Sequence, residues 1–120
     1  MITSFIDGKV EKNVIFNYDT MDFEEPNYKF NERELIEEFQ EYIDSTYQGH
    51  YSKDKFQATE FIIDGGHGTG FCVGNVLKYA QRYGKKGTPA DARKDLLKVL
   101  HYALIQLYIH DQTHHEESEE

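Results

Sequence analysis

Asn75, Lys78 and Arg82 stand at i, i+3 and i+7, a spacing that puts three polar side chains on one face of a helix. Further on, Asp91, Lys94, Asp95, Lys98 and His101 recur at three- and four-residue intervals. Lysine and arginine spaced in this way suit the grip on a phosphate-bearing anion, and arginine can bond it through two N–H groups at once. The charge distribution points the same way. Residues 74–98 hold seven basic residues against two acids, a formal charge of +5, while the rest of the chain holds six against twenty, or −14. A positive island in an acidic chain is costly to keep unless something anionic sits on it. The competing reading is two solvated faces with ordinary surface charges, and the segregation of charge argues against it.

A second candidate precedes the island. Residues 65–70 read Gly-Gly-His-Gly-Thr-Gly and lead into a helical pattern. A helix N-terminus offers free N–H groups and the positive end of the dipole, and glycines let a ligand approach the backbone. The run lacks the Gly-Lys-Ser/Thr ending of a P-loop and departs from the dinucleotide fingerprint. A glycine-rich turn between two helices is the alternative. His67, within the run, could contact a ligand, act as a general base or stand exposed. His101 lies on the charged side of the last helix beside Tyr102.

Other groups read as structural. Glu34, Glu37, Glu38 and Glu41 have the helical spacing with which some all-helical pyrophosphohydrolases hold magnesium, but only Asp91 and Asp95 could complete such a set. An acidic solvated face accounts for them better. His110, His114 and His115 cluster near the end with Asp111 and would need further ligands to hold zinc, so no metal site is expected. Cys72 reads as a small buried residue.

The elements that must position these residues are mainly helical. At 120 residues one domain is expected, spanning 1–112, with a mobile acidic tail over 113–120. Asp7-Gly8 between apolar runs predicts a β-hairpin over 1–18. A helical core over 31–112 follows. Asn31 and Glu34 offer a capping box for a helix over 32–46 with Leu35, Ile36, Phe39, Tyr42 and Ile43 on its apolar side. Ser52 is the expected cap of a second, shorter helix carrying Phe56, Thr59, Ile62 and Ile63. A third begins after the glycines, with Val73, Val76, Leu77, Ala80 and Tyr83 as its apolar side, and stops at Gly84. Thr88, Pro89 and Asp91 start a fourth over 89–110, with the stripe Ala92, Leu96, Val99, Leu100, Ala103, Leu104 and Leu107. The last two helices should form an antiparallel pair that brings Arg82 near Lys94 or Asp95, and Lys78 near Lys98 and His101.

Composition narrows the partners. A net charge of −9 argues against a general nucleic-acid binder and for a small, highly charged anion. Seventeen aromatic residues in so short a chain suggest a core completed at a subunit interface, so a homo-oligomer is expected. One cysteine excludes an internal disulfide and fits a reducing cytosol, and neither a membrane span nor a signal peptide is expected.

The segment Gly74-Asn75-Val76-Leu77-Lys78-Tyr79-Ala80-Gln81-Arg82-Tyr83-Gly84-Lys85-Lys86, followed by Arg93-Lys94-Asp95-Leu96-Leu97-Lys98-Val99-Leu100-His101-Tyr102, resembles the SaV-like family of small tailed-phage proteins. The likeness rests on Asn-x-x-Lys-Tyr-x-x-Arg, a Gly/Lys turn, Asp-Leu-x-Lys and a tyrosine, and covers about the last third of the chain. Residues 56–111 also look like proteins of marine and cyanobacterial myoviruses. The SaV-like family includes a phage nucleotide kinase that lacks a P-loop and acts as an oligomer. The resemblance therefore implies nucleotide handling in the cytoplasm of an infected bacterial host, with Asn75, Lys78, Tyr79, Arg82, Asp95, Lys98 and Tyr102 as the matching positions.

Three functions are consistent with these residues. The first is binding of a nucleotide or nucleotide-derived molecule without turnover, including sequestration of a host immune signal as an anti-defence factor. Lys78, Arg82 and Lys98 would pair with phosphates, Asn75 and His67 would read base or sugar, and Tyr79 or Tyr102 would stack. The second is a nucleoside monophosphate kinase needing ATP and Mg²⁺, with Asp95 holding the metal or taking the proton. The third is a structural or host-protein-binding phage factor docked through the basic island.

Overall fold

Thr88-Pro89-Ala90-Asp91 carries three agreeing helix-start signals, and a 25-residue helix begins there in the computed structural model, which describes residues 26–114. Thr88 Oγ1 accepts from Asp91 N at 3.2 Å, and the Asp91 carboxylate accepts from Thr88 N at 3.0 Å. This reciprocal capping box fixes the first turn. Four helices are described, α1 (Glu32–Thr46), α2 (His50–Asp64), α3 (Gly68–Arg82) and α4 (Pro89–Thr113), and no strand appears among the described residues. The fold is mainly α. None of these helices is long and apolar enough to cross a membrane.

Helices α3 and α4 are antiparallel: rising positions on α3 meet falling ones on α4. Gln106 Nε2 donates to Thr69 Oγ1 at 3.1 Å, Phe71 meets the Tyr102 ring edge-on, and Arg82 pairs with Asp95. Gly84, at φ 78°, takes the left-handed conformation that ends α3. Gly68 sits where α2, α3 and α4 meet. A Cβ there would lie 2.9 Å from Ile109 Cδ1 and 3.0 Å from Ile63 Cγ1. Helix α1 reaches α4 through Phe39 and Tyr42 against His101 and through the ion pair of Glu38 with Arg93.

The described residues fall in two units divided after Glu32, and every candidate site residue lies in the second. The hairpin expected over 1–18 lies outside the described residues, as do positions 115–120 of the expected tail. Thr113 still belongs to α4, three residues beyond the expected end, because Asp111-Gln112-Thr113 holds neither glycine nor proline to stop it.

Local expectations fail at three places. Asn31 stands at φ 59°, outside the extended region an N-cap needs, and Phe30 N donates instead to Glu32 Oε1 at 3.0 Å. Ser52 lies inside α2, which starts two residues earlier, and its hydroxyl donates to Gly49 O at 2.7 Å. The largest departure concerns burial. On α4 the buried residues are Ala92, Asp95, His101 and Ile109, while Leu96, Leu100, Leu104 and Leu107 are exposed. On α3 Cys72 is fully buried, while Val73, Leu77 and Tyr83 are exposed. Asp95 is buried because Arg82 bonds both its oxygens, and His101 because aromatic rings enclose it, whereas Lys78, Asp91 and Lys94 stay exposed and the leucines turn outward.

Candidate functional site

The site is built from the C-terminal half of α3 and the N-terminal half of α4. At its base lies Asp95, only 1% exposed. A buried carboxylate needs a partner, and Arg82 supplies it twice, through Nη2 to Oδ1 at 2.6 Å and Nε to Oδ2 at 3.2 Å. These hydrogen bonds, followed by the charge of Arg82 and then of Lys98, hold the Asp95 carboxyl below its ordinary range against the opposing effect of burial. The same bonds push the Arg82 guanidinium further up.

Tyr79 lies beside this pair and collects cations. Lys78 Nζ stands 5.1 Å from the ring centre, Arg82 Cζ 5.1 Å and Lys98 Nζ 4.9 Å. Three positive groups around one aromatic ring are drawn to its quadrupole while repelling one another. The far neighbour of Tyr79 is Tyr102, whose ring is parallel within 7° at 6.1 Å.

Towards the α3–α4 turn, Arg82, Lys86, Gly87, Asp91, Lys94, Asp95 and Lys98 line a cavity of about 200 Å³. Both carboxylates are committed, Asp95 to Arg82 and Asp91 to Thr88. The backbone and side-chain bonds from Thr88 lower the Asp91 carboxyl, with smaller help from Lys94 and Arg82. Lys86, Lys94 and Lys98 have no carboxylate partner among the described residues. The cavity admits a phosphate or diphosphate, whereas pockets for whole small molecules run from about 300 Å³ upward.

A model of the DUF3310 family matches residues 27–104. The chain belongs to that family. Its description is a protein of unknown function. The matched segment takes in α1 to α3 and the first two-thirds of α4, and therefore every residue of the basic cluster. No curated protein and no solved structure matches the chain.

Within this family segment, the structure brings Lys78, Tyr79, Arg82, Asp95, Lys98 and Tyr102 together. It keeps three other candidates apart or otherwise engaged. His67 is exposed at the start of α3, and the 15-residue helix separates it from Arg82 by about 22 Å at 1.5 Å per residue. The glycine run therefore forms no common site with the basic cluster, and the packing of Gly68 gives the run its structural work. Asn75 Nδ2 donates to Phe71 O at 2.8 Å within α3. His101 is buried in an aromatic box of Phe39, Tyr42, Phe56 and Tyr102. Burial, with a lesser effect from the charge of Lys55, pushes its pKa down. Of the acidic run on α1, Glu38 is engaged by Arg93, and among the described residues no cluster of His, Cys, Asp or Glu could hold a metal ion.

Two features escaped the sequence reading. Lys86 and Lys94 line the cavity, although only the approach of Lys94 to Arg82 was visible in the spacing. A groove of about 660 Å³ also runs between α1, α2 and α4, walled by Tyr47, Phe56, Ile63, Leu104 and Tyr108 with His101 at its side. Its residues come from three helices and share no sequence pattern.

Proposed function

We propose that this protein binds a nucleotide or a nucleotide-derived small molecule by its phosphate groups, without turning it over. The observation that carries this reading is the cavity at the α3–α4 turn, lined by four cations, Arg82, Lys86, Lys94 and Lys98, against the two carboxylates Asp91 and Asp95, a formal excess of +2. Such a cluster repels itself unless an anion neutralises it. Lys78 and Tyr79 at the mouth suit a ligand that continues beyond its phosphates into a flat ring. The resemblance to the SaV-like family supports a nucleotide as the source of those phosphates. It also supports a role as a phage accessory factor in the cytoplasm of an infected bacterium, sequestering an immune signal. The exposed leucines support a homo-oligomer.

The kinase reading is weaker. It needs Asp95 to hold Mg²⁺ or take a proton, and both oxygens of Asp95 are bonded to Arg82. Isothermal titration with nucleoside mono-, di- and triphosphates, cyclic nucleotides and inorganic phosphate tests binding. Saturable heat from at least one nucleotide, lost in Lys94→Ala/Lys98→Ala, is expected. No heat from any member of the panel would sink the reading, and formation of a nucleoside diphosphate from a monophosphate and ATP would replace it with the kinase.

A further inference from the structure

Helices α3 and α4 each carry a second apolar seam that nothing in the described chain covers. On α4, Leu96, Leu100, Ala103 and Leu107 follow one another at intervals of four, three and four, and all four are exposed. On α3, Val73, Leu77 and Ala80 repeat the start of this alternation and are exposed too, and Gly84, just beyond the helix end, continues the spacing. This four-three spacing is that of helices packing knobs into holes. None of the eight positions carries a charge.

The two seams lie on one side of the hairpin. At 100° per residue, Lys78 and Arg82 on α3 and Lys98 and His101 on α4 flank the α3–α4 contact on one side, towards α1 and α2. The seams flank it on the other. The small residues Ala80, Gly84 and Ala103 leave room for close approach of another helix. Leu77 is 63% exposed, Leu107 58% and Leu100 49%. With Leu96 and Val73, and on the order of 100 Å² for each large aliphatic chain, the open apolar area is roughly 500 Å² per copy. A patch of this size lies in the upper part of the range found on monomers, where such patches often mark an interaction site. Two such faces together bring about 1,000 Å², near the lower bound for a specific interface, before any polar rim is counted.

We infer that this face is covered by the same face of a second copy, so that two α3–α4 hairpins form a four-helix bundle about a two-fold axis. A pair of antiparallel helices presenting matched seams is self-complementary, as a two-fold interface requires. The basic cavities then point outward on the two far sides, and the inference holds whatever those cavities bind.

Sedimentation equilibrium on the full chain tests it. Wild type is expected at twice the 14.1 kDa chain mass. Leu77→Glu and Leu100→Glu are each expected to raise the dimer dissociation constant at least about 30-fold, with helicity unchanged, because about half or more of each residue is exposed among the described residues. Phe61→Glu, a charge on an exposed position of α2, should leave the dimer intact. Should a glutamate variant lose helicity, Leu77→Ala and Leu100→Ala serve instead, with an expected weakening of about tenfold. A monomeric wild type at about 100 µM overturns the inference, as it would if the chain's own first 25 residues covered the face. So does a dimer that resists both leucine variants or that Phe61→Glu dissolves equally.

Discussion

Arg82 and Asp95 form a two-point ion pair across the α3–α4 interface, and it lies where each helix would be expected to bury an aliphatic side chain. The pair joins the end of one helix to the start of the next, thirteen residues apart in sequence. A two-point pair specifies geometry as well as attraction. It sets the register of the hairpin and thereby the spacing of the lysines around the cavity.

Removing either partner should have unequal effects. Asp95→Ala leaves a guanidinium that is still one-third exposed and can turn to water, whereas Arg82→Ala leaves a fully buried carboxylate with its bonds unmade. Arg82→Ala is therefore expected to lower the urea midpoint more than Asp95→Ala, and Arg82→Lys should recover only part of the loss because lysine cannot bond both oxygens. Equilibrium urea unfolding of the three variants checks the order.

The same pair predicts acid sensitivity. The folded pKa of Asp95 is lowered, as are those of Asp91 and Glu38. Between the folded value and the unfolded value near 4 the unfolded chain binds more protons, so stability rises with pH through that window. The contribution is complete above about pH 5 and is lost as the pH falls through the folded values. Asp95→Asn should be less stable at neutral pH and show a shallower loss on acidification. Urea midpoints measured from pH 6 to pH 3 test this, and parallel curves for variant and wild type would count against it.

His101 should act over a higher window. Its pKa is lowered, first by burial and then by Lys55. Below the ordinary value near 6.5 the unfolded chain takes up a proton that the folded chain resists, so stability falls as the pH drops below about 7. The ring is enclosed by Phe39, Tyr42 and Phe56, and no hydrogen bond from another described residue reaches it. His101→Phe should therefore fold and lose the pH dependence between 7 and 5, as read from thermal midpoints across that range. Loss of helicity in His101→Phe would show instead that the imidazole has a polar role.

The lysines around the cavity should act as separable point charges. Lys94→Ala and Lys98→Ala are each expected to weaken nucleotide binding about tenfold, since a hydrogen bond to a charged group contributes roughly 1.5 kcal/mol or more. Wild-type affinity should fall as salt is raised from 50 to 300 mM, and the double variant should show a flatter dependence. Titrations at several salt concentrations give both readouts. Arg82→Ala is a poorer probe, since its effect on binding mixes with its effect on the hairpin.

The helices and their pairing were legible in the sequence because helix starts, stops and periodicity are local. Thr88-Pro89-Ala90-Asp91 and Gly84 marked the tight turn, and three- and four-residue spacing placed Lys78, Arg82, Asp95 and Lys98 on facing sides. Which stripe faces inward was not legible. Periodicity finds an apolar face but does not say whether the same chain or another covers it. Leu96, Leu100 and Leu107 looked like core and are exposed, while the polar stripe expected to face α3 supplies the buried Asp95 and His101. The groove under Tyr47 and Phe56 was invisible because its walls meet only after α1, α2 and α4 have packed.

The glycine run allows the sharpest separation of a structural role from a binding one. Gly65 and Gly66 close α2, with Gly65 N donating to Phe61 O and Gly66 N to Ile63 O, each at 3.0 Å, and Gly66 stands at φ 89°. Gly70, by contrast, faces open space, and an added Cβ there would meet nothing within 4 Å. If the run exists to bring α2, α3 and α4 together, alanine should be costly at position 68 and harmless at 70. Gly68→Ala would press on Ile109 and Ile63, one of them close to the backbone, and such overpacking costs about 1–3 kcal/mol. Gly70→Ala should stabilise by up to about 1 kcal/mol, because it sits in the first turn of α3 with no need for a glycine conformation. Neither change should alter nucleotide affinity, since both lie most of a helix length from Lys94 and Lys98. Urea unfolding and titration of the two variants separate the alternatives: a Gly70→Ala protein of normal stability and impaired binding would return the glycine turn to the site.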